Sequence, residues 1–219
     1  MIYLSTYEQS QINRRHLIEL FGVVGVLAGL TIIDFWLLGV LYHPQQGTEH
    51  QWQQFFRVMG FLGTWAIVGG AFASTDRTFK RAGSVMLAPL VAGSVAEFLK
   101  LIIGRARPIE NGQLLEGWYH FRPLLDGFRD GHNLGMPSSH AAVAFAGAIT
   151  VAYHLPRTRL IMIGLAIGCG YTRISSNAHF PTDVFLGGVI GWLAARLFRE
   201  LTVRIHASDA VSSTAHDHP

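Results

Sequence analysis

Three short stretches of this chain hold side chains that together could move a phosphoryl group. The first contains Lys100 and Arg107, seven residues apart. If one helix continues through both, they lie two turns apart on the same face, with Arg105 pointing elsewhere. The second is Met136-Pro137-Ser138-Ser139-His140. A proline and two serines ahead of an apolar run mark a helix start. Free N–H groups and hydroxyls at such a start form a phosphate cradle, although simple capping accounts for the same residues. His140, in the first turn, could protonate a leaving oxygen. The third has Arg173, His179 six residues later and Asp183 four after that. Pro181 marks the start of another helix. A carboxylate four residues beyond a histidine can accept its Nδ1 proton, leaving Nε2 free to attack phosphorus. Three cations, two histidines and a carboxylate suit a phosphoryl group, whose transfer needs positive charge around its oxygens and in-line attack.

The elements that must position these residues are apolar. Half of the 219 residues are hydrophobic and 14% are charged, too apolar a balance for an ordinary soluble domain. Hydropathy marks segments at 17–41, 55–75, 83–103, 139–155, 160–173 and 183–198, six spans against the ~20 residues a helix needs to cross a bilayer. The expected fold is an all-α, integral membrane bundle of six transmembrane helices, with a long extracytoplasmic loop between helices three and four. Residues 1–16 form an N-terminal segment, 17–200 the membrane domain and 201–219 a tail, polar and Ser-rich from about 207 and expected to be disordered. The first apolar segment lacks a small-residue cleavage site and is read as a retained helix. Glycines one turn apart, such as Gly187 and Gly191, allow close helix packing in lipid.

Cytoplasmic loops collect Lys and Arg. Arg14 and Arg15 precede the first span; Arg77, Lys80 and Arg81 join spans two and three; Arg157 and Arg159 join four and five; Arg196, Arg199 and Arg204 follow the sixth. These segments share one side, so both termini are expected in the cytoplasm. Residues 42–54, on the other side, contain no Lys or Arg. Lys100, Arg105, Arg107, Arg122, Arg129 and Arg173 break the pattern at or near the outer ends of helices, and an isolated cation within a span is costly unless paired or functional. Pairing of Lys100 with Glu97 would explain the lysine and leave Arg107 and Arg173 unexplained.

Span five is short, about 20 Å for 14 residues, which places Arg173 below the outer interface unless neighbouring residues lengthen the helix. The connection 109–135 carries Trp118, Tyr119, Phe121 and Phe128. It forms an interfacial flap beside a lipid entrance, or it packs onto the bundle. Asp34, near the outer end of span one, either meets a site cation from behind or reaches interfacial water. Cys169 is the single cysteine and is read as packing. With a formal charge of +3 and no long basic run, nucleic acid is not expected as a partner. The tail histidines His206, His216 and His218 are read as solvated, so no metal or other cofactor is expected.

Lys100 with Arg107-Pro108, Pro137-Ser138-Ser139-His140, and Arg173 with His179 and Asp183 resemble, in order and spacing, the three-part signature of the type 2 phosphatidic acid phosphatase family. The resemblance covers residues 100–183. It implies a six-helix bundle and metal-independent hydrolysis through a phosphohistidine. By position, Lys100, Arg107, Arg173, Ser138 and the backbone around Ser139 hold phosphate. His179 is the nucleophile and Asp183 orients it; His140 is the acid and then the base that activates water. The chain departs from the family at Ser139, where glycine is usual, and at Thr172, where serine is usual; both changes keep the charges and histidines.

The expected function is hydrolysis of a lipid phosphate or diphosphate: phosphatidate, phosphatidylglycerophosphate, undecaprenyl diphosphate or a lipid A type. The expected location is a bacterial inner membrane, with the site on the extracytoplasmic side. Alternatives are a phosphotransferase using the same phosphohistidine, and an anion transporter or binding protein, which would need neither His179 nor Asp183. Vanadate-dependent haloperoxidases share the signature but are soluble. Oligomeric state is not readable from the sequence.

Overall fold

Alanine and glycine set how closely the helices approach. The computed structural model describes residues 6–42, 48–75, 79–110, 113–114 and 118–216. Among them are seven α-helices: α1 (Thr6–Leu41), α2 (Thr48–Arg57), α3 (Leu62–Thr75), α4 (Lys80–Ile103), α5 (Ser139–His154), α6 (Arg159–Ser175) and α7 (Pro181–His216). The loop after α4 adds a two-residue antiparallel pair, β1 (Ile109–Glu110) with β2 (Gln113–Leu114). The fold is all-helical in every element that carries the core.

α5 is the central helix, packed against α4, α6 and α7. Ala92 and Ala96 of α4, Ala142 and Ala146 of α5, and Ile190 and Ala194 of α7 form one buried cluster. A side chain at Gly191 would meet the Ala142 carbonyl, and one at Gly187 the Ser138 carbonyl. Such contacts let backbones touch, and dispersion between close surfaces is what holds helices together where the surroundings are as apolar as the core. On the other flank, the Trp65 ring of α3 lies over Gly147 of α5. Its indole N–H donates to the Met59 carbonyl at 2.9 Å, so its polar atom is satisfied in the core. α1 makes fewer contacts; Leu38 and Phe35 fix its C-terminal end against Ile174, Phe180 and Tyr119. Large apolar side chains such as Ile32, Ile67 and Leu160 face outward.

The structure alters three sequence expectations. The second span is not one straight helix: 51–60 and 62–75 meet at Phe61 with a bend of 65°. α4 ends at Ile103, because Gly104 takes φ +67° and its N–H closes on the Lys100 carbonyl at 2.9 Å, a left-handed cap that glycine adopts without strain. Lys100 and Arg107 therefore do not share a helical face. α7 runs to His216, through all but the last three residues of the stretch expected to be a disordered tail; residues 217–219 lie outside those described.

α1 and α4 are long and apolar enough to cross a membrane, and the bent pair raises the number to three among the described residues. α5 and α6, at 16 and 17 residues, are short for a bilayer crossing, although α6 exceeds the expected 160–173.

The α5–α7 contact gives a direct test. A Cβ at Gly187 would sit 2.3 Å from the Ser138 carbonyl oxygen, a backbone atom that cannot swing aside. Gly187→Ala is expected to destabilise the bundle by about 1–3 kcal/mol. Unfolding of the detergent-solubilised protein by denaturing surfactant measures this, and an unchanged midpoint would show that the contact relaxes freely.

Candidate active site

The helix ends bring the three stretches together. Ser138 caps α5, with its hydroxyl accepting from the Ala141 N–H at 3.5 Å, and its own N–H donates to the Asp183 carbonyl at 2.9 Å. That bond joins the second stretch to the third, and the bare Cα of Gly187 gives it room. Lys100, in the last turn of α4 and 6% exposed, donates to Glu97 Oε1 at 2.7 Å and to Ser139 Oγ at 3.0 Å. It thus pairs with Glu97 and also reaches the second stretch, so the pairing does not exclude a role at the site. Ser139, one of the two departures from the family pattern, uses its hydroxyl to hold this lysine. The Thr172 hydroxyl, the other departure, donates to the Cys169 carbonyl at 2.7 Å within its own helix.

Arg107 follows the Gly104 turn in extended chain. Its Nε donates to the Leu134 carbonyl at 3.2 Å, and its backbone N–H to the Asn133 carbonyl at 3.0 Å. The guanidinium is within electrostatic reach of Lys100, Glu97 and Arg173. Arg173 is buried in the last turn of α6. Its carbonyl accepts the N–H groups of Ala178 and His179, each at 3.1 Å, and this turn folds His179 back beside it.

His179 is 1% exposed and Asp183 fully buried. Nδ1 of His179 lies 3.6 Å from Asp183 Oδ2, close for an ion pair but beyond hydrogen-bonding distance. The expected Nδ1–H···carboxylate bond is therefore not formed; Oδ2 accepts the Phe180 N–H at 2.8 Å and Oδ1 the Arg105 guanidinium, and these two bonds hold the carboxylate at that separation. His140 sits in the first turn of α5, its ring edge-on to Phe61 at 5.3 Å. His140 Nε2, His179 Nδ1 and Arg173 Nε are buried without a protein partner. Gln53 Oε1, Arg105 Nε and Asn177 Oδ1 are unpaired as well; buried polar atoms are nearly always bonded, so unpaired ones on both histidines and on Arg173 suit a site that binds a polar ligand. No group of three His, Cys, Asp or Glu among the described residues is placed to hold a metal ion.

Sequence reasoning missed the group behind Asp183. Arg105 does not point elsewhere: it is buried, donates to Asp183 and to Thr182 Oγ1 at 2.6 Å, and lies over the adjacent Tyr119 and Phe180 rings, 4.7 and 5.0 Å from their centres. Asp34 of α1 lies 3.8 Å from the same guanidinium. It accepts the Thr182 N–H at 2.9 Å, the Thr182 hydroxyl and the Tyr119 hydroxyl at 2.9 Å. Burial and the neighbouring Asp34 charge push the Tyr119 phenol well above its ordinary value, so it stays a donor. A carboxylate inside an apolar span was the one available signal; its partners lie far along the chain.

A helical bundle that gathers cations, two histidines and a carboxylate at its helix ends has the makings of a phosphoryl-transfer site. The PAP2 superfamily model matches residues 81–206, more than half of the chain, and the chain belongs to that family. Lipid A 1-phosphatase of Rhizobium johnstonii is 35% identical over 102 residues, 46% of this chain and 39% of the relative. Lipid A 4'-phosphatase of Bacteroides thetaiotaomicron is 31% identical over 121 residues, 52% of each. This chain thus spans about half or less of the curated relatives it matches. The crystal structure of Aquifex aeolicus LpxE superposes with a TM-score of 0.56 at 21% identity, covering 77% of this chain and 95% of that one; the likeness is one of fold.

Asp34 and Arg105 should behave as a coupled pair. Removing either partner of a buried ion pair typically costs 3–5 kcal/mol, about what a strained remaining charge demands. A double-mutant cycle of Asp34→Asn and Arg105→Gln, read from unfolding, is expected to give a coupling of about 0.5–3 kcal/mol. Strict additivity would show that the two groups do not interact.

Proposed function

We propose that this protein is a membrane phosphatase that hydrolyses a lipid phosphate or diphosphate through a phosphohistidine on His179. The carrying observation is the convergence of the three stretches: Lys100 on Ser139, Ser138 on Asp183, and His179 folded onto Arg173. Lys100, Arg107 and Arg173, with Ser138 and the backbone at Ser139, bind the phosphoryl oxygens, where charge accumulates in the transition state. His179 Nε2 attacks phosphorus, forming an N–P bond as the bond to the leaving oxygen breaks, and His140 gives that oxygen a proton. Asp183, held by Arg105, balances the charge gained by the His179 ring. His140 then takes a proton from water, whose oxygen attacks phosphorus, releasing phosphate and restoring His179. These residues suffice for the cycle, and no metal enters it.

In this reading the chain crosses a bacterial inner membrane six times, with α2 and α3 together as the second crossing; the Lys- and Arg-bearing loops and both termini then face the cytoplasm, and the site faces the extracytoplasmic side. Residues 17–200 are the catalytic domain in this reading. The short α5 and α6 recess the site toward the acyl region, and Trp118, Phe121 and Leu124, all exposed on the long loop, suit the interface beside it. The substrate class includes phosphatidate, phosphatidylglycerophosphate and undecaprenyl diphosphate; the names of the relatives favour lipid A.

The purified protein is expected to release phosphate from lipid phosphates in chelator, and His179→Ala to lower kcat by at least about a thousandfold. Equal release by both proteins would remove His179 as nucleophile. Loss of parent activity in chelator would contradict the metal-free cycle.

A further inference from the structure

Arg57 belongs to none of the three stretches and lies outside the family match at 81–206. It ends α2, immediately before the turn Val58–Gly60. Three contacts fix that corner. The Phe56 ring covers Gly168 of α6, where a Cβ would meet it at 2.2 Å. Gln53 Nε2 donates to Ser175 Oγ at 3.4 Å. Gly60 abuts the His140 ring so closely that a Cβ would lie 2.7 Å from it. The corner therefore forms the wall of the site on the His140 side.

The Arg57 guanidinium lies over the Phe61 ring, 5.8 Å from its centre, and the same ring meets the His140 imidazole edge-on. One aromatic ring thus separates this cation from the proposed acid. Its charge also acts on Arg173 and His140. Arg105, Arg122 and Arg196 each face a carboxylate; among the described residues Arg57 faces none. Arg57 is exposed, so its guanidinium, held only over the Phe61 ring, is open to an anion from outside.

The place of that anion follows from the chemistry. In the phosphatase reading, on which this inference rests, Lys100, Arg107 and Arg173 surround the scissile phosphoryl group, and His140 protonates the leaving oxygen. Whatever the leaving oxygen belongs to must lie on the His140 side, toward Phe61 and Arg57. For a diphosphate, the leaving group is itself a phosphate. We infer that Arg57 binds the phosphate of the leaving group, and so makes the site prefer lipid diphosphates over the corresponding monophosphates.

The test uses the full chain and two probes, a prenyl diphosphate and the monophosphate on the same prenyl chain. Arg57→Gln is expected to lower kcat/KM for the diphosphate about tenfold to a hundredfold more than for the monophosphate, the size of a lost charge-assisted contact, with Arg57→Lys recovering part of the difference. Equal losses on both probes, or no loss on either, would overturn the inference while leaving the phosphatase reading intact. If the parent hydrolyses neither probe nor any other lipid phosphate, the phosphatase reading fails, and the inference fails with it. Calorimetry with inorganic pyrophosphate and phosphate gives a readout free of turnover. The parent should bind pyrophosphate more tightly, Arg57→Gln should erase the difference, and equal binding by the parent would count against the inference.

Discussion

The structure turns on a buried charge set in which Arg105 stands between Asp183 and Asp34. None of these charges is tolerable alone among apolar helices, where an unpaired ion costs several kcal/mol even after relaxation. Together they fix three parts of the chain: α1 through Asp34, the segment after α4 through Arg105, and the first turn of α7 through Asp183 and Thr182. The Tyr119 and Phe180 rings, packed edge-to-face on each other, both lie against the guanidinium. Because both Asp183 oxygens are occupied, the carboxylate cannot rotate, and His179 faces a negative charge of fixed direction.

Small residues supply the second constraint. Ser138 reaches the Asp183 carbonyl only because Gly187 has no side chain, and α3 settles on α5 only because Gly147 accepts the Trp65 ring. The helix ends converge because the helix bodies touch. The charge set then fixes direction within a geometry that packing has already made close. Gly60 extends the same logic to His140, whose ring it approaches without a Cβ between them.

Much of the site was legible because its residues sit at fixed spacings near helix ends, where proline, serine and glycine leave local signals. Helix bounds for α4, α5 and α6 follow hydropathy to within a few residues. The shared helical face of Lys100 and Arg107 required the helix to run on past 103, where hydropathy ends it; a left-handed glycine at 104 stops it there and turns Arg105 inward. The bend at Phe61 has no proline to announce it, and hydropathy is blind to direction. Asp34 was visible as a carboxylate out of place, yet its partners lie 71 to 148 positions away, and pairing over such separations is a product of the folded bundle. Asp34 and Arg57 both lie outside the segment the family model matches, so the N-terminal helices pack side chains against a candidate site whose motifs they do not carry.

The central claim is that a bond forms between phosphorus and His179. Rapid quenching of the parent with a lipid whose scissile phosphate is radiolabelled, followed by mapping of the labelled peptide, tests it directly. The account predicts an acid-labile, base-stable label on His179 that appears and decays within a turnover and is absent from His179→Ala. Label on a hydroxyl side chain, or full turnover with no labelled protein at any time, would contradict it.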